Sequence, residues 1–128
     1  MERQSKNEKL LQYFKDICLI PRQTGDEEAI SQYLLDFAKA RGLQAERDAH
    51  HNVLIRKPST IPGYKGPTVI VQGHMDIVYE KSADSTHKYE DGIHVVEEDG
   101  YLKSADGTSL GADNGLAVAY AMDLLDRN

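Results

Sequence analysis

The stretch from Leu116 to Leu125 is apolar almost all round, with Ala117, Val118, Ala119, Tyr120, Ala121 and Met122 in unbroken succession. A helix of that kind is expected to be buried against a sheet. Two more helices are signalled upstream. Ser5 followed by Glu8 is a capping-box pattern, and Leu10, Phe14 and Ile17 then repeat at helical spacing until Pro21 blocks continuation. Thr24 with Glu27 is a second box, opening a run in which Ile30, Leu34 and Phe37 share a face and Gly42 stands where a helix C-cap wants it.

Between these helices lie short β signals. Val53 to Ile55 and Thr68 to Val71 are apolar and β-branched, and the second reads as a strand buried on both faces. Ile93 to Val96 and Tyr101 to Lys103 flank Asp99-Gly100, a strong hairpin turn signal. Pro58 to Pro67 reads as a loop within one domain. The order of elements predicts an α/β layered fold with a mixed sheet flanked by helices. With 128 residues, 40% of them hydrophobic, one domain with a real core is expected.

Composition narrows the function classes. A single cysteine, Cys18, excludes an intrachain disulfide and a cysteine-held zinc ribbon, and fits a reducing, cytoplasmic compartment. No apolar run approaches the roughly 18 residues of a membrane span. A net charge of −6, no Trp and no basic run interleaved with aromatics argue against a nucleic-acid surface.

Two constellations can do chemistry. Gln72-Gly73-His74-Met75-Asp76 follows the expected buried strand, and strand ends are where α/β sheets build sites. His74 is placed to ligate a metal through one ring nitrogen while Asp76, two residues on and on the same side of an extended segment, holds the other. A surface histidine at a capped strand end is the plainer alternative. Gly111-Ala112-Asp113-Asn114-Gly115 opens the apolar helix, where Asp113 is either a ligand carboxylate or an ordinary N-cap. One His and one Asp at such junctions are donors that zinc or manganese accepts.

At these residues the chain resembles a known family. Gly73-His74-Met75-Asp76-Ile77-Val78 with Thr108-Ser109-Leu110-Gly111-Ala112-Asp113-Asn114-Gly115 is similar to the co-catalytic zinc peptidases of the aminoacyl-histidine dipeptidase family. Ile20-Pro21-Arg22, Phe37 to Leu43, Asn52 to Pro58 and Glu80 to His87 extend the likeness over nearly the whole chain. The resemblance implies that residues 1–128 are the N-terminal, incomplete part of a zinc-exopeptidase-like catalytic domain. It further implies that His74 ligates one of two zinc ions, that Asp113 bridges both, and that Asp76 orients His74 as a catalytic residue. The Asp113–Asn114 peptide is expected to be cis. The implied substrate is a dipeptide, Xaa-His among the candidates, and the implied full-length parent is a homodimer.

The pattern is also incomplete. The family's glutamate general base, the glutamate ligand beside it and further ligands belong downstream of Asp113, and the 15 residues that follow it contain no such pair. Glu97-Glu98 precedes Asp113 and reads as a solvated hairpin end, His50-His51 as an exposed turn, His94 as solvent-facing, and Asp123 and Asp126 as the polar side of the last helix. His87 lies in the family-like loop without an assigned role. Asp91-Gly92 departs from the Asp-Pro usual at that point. Three functions remain open: part of a zinc dipeptidase, weakly binding metal or none by itself; part of a related tripeptidase or N-acyl amino-acid deacylase; or a non-catalytic metal- or partner-binding domain.

Overall fold

The computed structural model describes residues 2–128 and, within the first helix, side chains from residue 7 onward. Leu10, Phe14, Ile17 and Cys18 are all buried, and they make one continuous stripe on α1 (Glu2–Cys18). The helix begins three residues before Ser5; the capping contact expected of that side chain lies outside the described residues. α2 (Glu28–Ala40) buries Ile30, Leu34, Phe37 and Ala38. Its N-terminus carries no side-chain cap, so the expected Thr24 box does not form there. Glu27 instead accepts a hydrogen bond from the Gly25 amide (2.7 Å), and the Thr24 hydroxyl points elsewhere.

The chain then turns through β1 (Gln44–Arg47) and β2 (Val53–Arg56), an antiparallel pair closed by an Asp48 turn. The Asp48 carboxylate accepts the amides of His50 and Asn52, both at 2.9 Å. β1 has no apolar alternation to announce it, and its identity comes from pairing with β2. Arg47 ties it to α2 by donating to the buried Ser31 hydroxyl (3.0 Å). A single turn of 3-10 helix (Tyr89–Asp91) leads to β3 (Val95–Glu98) and β4 (Tyr101–Ser104), which pair antiparallel around Asp99-Gly100 as expected. Both turn residues have positive φ, 53° and 80°, the conformation that favours glycine in the second place. Glu97, Glu98 and His94 are exposed, in line with the sequence.

The last element, α3 (Ala112–Asp126), packs along α1 through Val118, Ala119 and Met122. The fold is α/β, with small sheets flanked by helices. The sheet itself differs from expectation in extent: among the described residues the strands form two separate antiparallel pairs, and parallel pairing is confined to the bridge of Gln23 with Ile77. Residues 68–71 are not in a strand. Val69 is 78% and Ile70 83% exposed, because a β-branched run becomes a buried strand only when ladder partners lie on both sides, and the described residues supply none. α3 is consequently covered on one face only. Tyr120 and Leu124 are exposed, and Ala117 and Ala121 border an open cleft of about 690 Å³ that also meets Val53, Ile55 and Val71. Lys57, just after β2, closes one end by donating to the Leu124 and Leu125 carbonyls (3.3 and 3.0 Å), a cation at a helix C-terminus.

Asp126 is more than a polar flank. Its carboxylate accepts from Tyr13 of α1 (2.7 Å) and from Arg41 after α2 (2.7 Å), and it pairs with Lys9. Asp123 is buried and held by Arg127 (2.6 Å). Hydrogen bonds from Lys9, Tyr13 and Arg41 hold the Asp126 carboxyl well below the ordinary carboxylate range. A depressed folded-state pKa contributes stability that is complete above the unfolded pKa of about 3.9 and is lost as pH falls below it. Asp126→Asn is therefore expected to lower stability near neutrality by about 2 kcal/mol and to flatten the acid limb below about pH 4. Chemical denaturation followed from pH 3 to 7 checks this, and an unchanged acid limb would contradict it.

Candidate functional site

The site is assembled from three stretches of backbone. Residues 74–76 leave the exposed extended segment, residues 111–115 open α3, and residues 22–24 lie between α1 and α2. The opening of α3 is kinked, with non-helical dihedrals at Asp113 and Asn114, and the peptide between them is cis, as the resemblance implies. The N-cap position belongs to Gly111, and no side chain caps this helix. The Asp113 carboxylate, 96% exposed, is thus not spent on its own backbone.

It faces His74. The Nε2 of His74 lies 3.1 Å from Asp113 Oδ1, across 39 positions of sequence. The other ring nitrogen, Nδ1, lies 3.0 Å from the Asp76 carbonyl oxygen and 3.2 Å from Asp76 Oδ1. Asp76 is in turn fixed by the Thr24 hydroxyl, which donates to Oδ2 at 2.6 Å. With Nδ1–H donated to Asp76, an unprotonated Nε2 would meet a carboxylate oxygen lone pair to lone pair. The pair therefore calls for positive charge between its members, supplied by a second ring proton or by a cation. Burial works against protonation, but the Asp76 carbonyl and then Asp113 and Asp76 outweigh it, and the His74 pKa is raised above its ordinary 6.5. The Thr24 hydrogen bond, opposed by burial and helped by His74, keeps Asp76 below the usual carboxylate value.

The chemistry of the donors fits zinc. Two nitrogen and oxygen ligands of one tetrahedral ion, each about 2.0–2.2 Å from it, stand about 3.3–3.6 Å apart, a few tenths of an ångström more than the 3.1 Å between His74 and Asp113. A carboxylate behind the other ring nitrogen is the usual support of a ligating histidine. Among the described residues, no group of three or more His, Cys, Asp or Glu side chains is gathered that could hold a metal ion, so these two supply part of a coordination shell.

The known proteins most informative for this arrangement are few. No family model matches the chain. Over 112 residues, 88% of its length, the chain is 38% identical to the cytosol non-specific dipeptidase of Escherichia coli K12. It also superposes on the crystal structure of an aminoacylhistidine dipeptidase from Vibrio alginolyticus with a TM-score of 0.87 and 35% identity over 93% of the chain. By these two likenesses the chain resembles a fragment of an aminoacylhistidine dipeptidase. It spans about a quarter of the length of these relatives, 23% and 24% respectively.

Set against the dipeptidase family, the three residues singled out by sequence, His74, Asp76 and Asp113, do come together. The other histidines stay apart from them. His87 is buried with both nitrogens engaged, Nδ1 with the Tyr79 hydroxyl (2.7 Å) and Nε2 with the Gly92 carbonyl (2.5 Å). His50 is exposed in the Asp48 turn and His51 is half-buried there, so the turn is less open than expected. Thr24 is the site residue that local patterning mistook for a helix cap. Its spacing from Glu27 fits the box, and nothing near it in sequence points to Asp76.

Proposed function

We propose that this chain is the N-terminal part of the catalytic domain of a cytoplasmic, zinc-dependent dipeptidase. His74 and Asp113 would hold its zinc, Asp113 would serve both ions, and Asp76 would orient His74. The observation that supports this reading best is the convergence of the His74 Nε2 and the Asp113 carboxylate at 3.1 Å, with Asp76 behind Nδ1. The relatives named as dipeptidases supply the reaction class.

Bound zinc would polarise the scissile carbonyl and lower the pKa of an attacking water. The chain's own residues prepare for that. Thr24 fixes Asp76, Asp76 keeps the Nδ1 proton and turns the imidazole, and the Nε2 lone pair is thereby presented to the cation. Asp113, free of any capping duty, offers its carboxylate from the opposite side. A dipeptide, Xaa-His included, is the proposed substrate, and a homodimer the proposed form of the whole enzyme.

The purified 128-residue chain is expected to show no hydrolysis, because it carries no glutamate pair after Asp113 to act as general base. Measurable zinc-dependent cleavage by this chain would refute that. The gene's full product, assayed on a panel of Xaa-His and other dipeptides, tripeptides and N-acyl amino acids, tests the substrate class. Cleavage of dipeptides is expected, and exclusive activity on N-acyl amino acids would transfer the assignment to a deacylase.

A further inference from the structure

Arg22 is 1% exposed, yet no carboxylate forms an ion pair with it among the described residues. A buried guanidinium is costly unless its donors are satisfied. Here two backbone carbonyls satisfy two of its nitrogens: Nη1 donates to Met75 O (2.8 Å) and Nη2 to Gly111 O (3.1 Å), while Nε has no partner. Met75 stands between His74 and Asp76, and Gly111 two residues before Asp113. The backbone on either side adds to the bracket. The Ile77 amide donates to Arg22 O (3.0 Å), and the Thr24 amide donates to Ile77 O (3.2 Å).

We propose that Arg22 is a positioning residue that clamps the His74–Asp76 segment to the opening of α3, and so sets the separation of His74 from Asp113. The proposal rests on the metal reading above. A planar fork holds its donors at fixed angles toward two carbonyls on different segments, a geometry that a rotatable ammonium does not impose. Two glycines make room for it. A Cβ on Gly115 would stand 2.6 Å from Nη2, and one on Gly111 2.9 Å from it. Arg22 touches no metal donor and acts through the backbone.

Hydrogen exchange on the full 128-residue chain tests the clamp without any metal. In Arg22→Gln the amides of Ile77 and Gly115, bonded to Arg22 O and Gly111 O, are expected to exchange about tenfold faster together, while Ala105 and Asp48, bonded in the two hairpins, change less than about threefold. Met122→Ala, a core truncation, serves as the control that lowers protection everywhere. Loosening confined to one of the two segments, or spread evenly as in Met122→Ala, would overturn the proposal. If Arg22→Gln does not fold, Gly115→Ala, which displaces the guanidinium by one methyl group, is held to the same pattern. A parallel titration with zinc alone, followed by amide chemical shifts, should show binding weakened about tenfold in the variant. Absence of zinc-induced shifts in the unaltered chain would defeat the metal reading, while the exchange comparison would still decide the clamp.

Discussion

His74→Ala is expected to weaken zinc binding about a hundredfold or more and to abolish dipeptide hydrolysis by the gene's full product. The side chain supplies the nitrogen donor that meets Asp113, and Asp76, fixed by Thr24, supports it from the other ring nitrogen. Removing a ligand costs more than removing the group behind it, for which a loss of about 10–100-fold is typical. Asp76→Asn should therefore fall between His74→Ala and the unaltered protein, with zinc still bound. Calorimetric titration with zinc measures the affinity, and a chromogenic dipeptide assay measures the turnover. Proton competition adds a signature: because the pKa of His74 is raised, zinc affinity should already decline as pH falls toward 6.5, and His74→Ala should remove that dependence. Equal zinc affinity with and without His74 would sink the assignment.

The largest effect on the fold itself is expected from Phe14→Ala. Phe14 is 1% exposed at the middle of the α1 stripe, within the cluster that α3 completes through Val118, Ala119 and Met122. Truncating a buried Phe removes its transfer energy and leaves a cavity that neighbouring side chains fill only in part, a cost of about 3–5 kcal/mol. Domains of ordinary stability have about 5–15 kcal/mol in all, so the variant should lose about a fifth or more of its margin. Urea denaturation should show the midpoint falling with little change in slope. Tyr120→Ala on the open face of α3 should cost far less, because that ring is 52% exposed. A Phe14 variant no less stable than Tyr120→Ala would mean that α1 and α3 do not share the core described.

Local rules performed well where the information is local. The stripe of Leu10, Phe14 and Ile17, the turn at Asp99-Gly100 and the exposed Glu97-Glu98 tip all depend on neighbours within a few residues. They failed where an outcome depends on what lies alongside. Gln44–Arg47 is a strand because Val53–Arg56 pairs with it, whereas residues 68–71 have the stronger β composition and no ladder. Asp123 and Asp126 look like a wet helix flank, yet Tyr13, Arg41 and Arg127 converge on them.

By itself the sequence determined the helices, the hairpin and the α/β class, and it singled out His74 and Asp113 as candidate metal donors with Asp76 as the residue to orient His74. Helical periodicity, turn chemistry and donor type are written into short stretches of chain. Only the tertiary structure decided that His74 meets Asp113, that Thr24 serves Asp76 instead of a helix end, and that Arg22 spans Met75 and Gly111. Each of those contacts joins groups 39 to 89 positions apart, and their hydrogen bonds form only after packing has brought the backbones together.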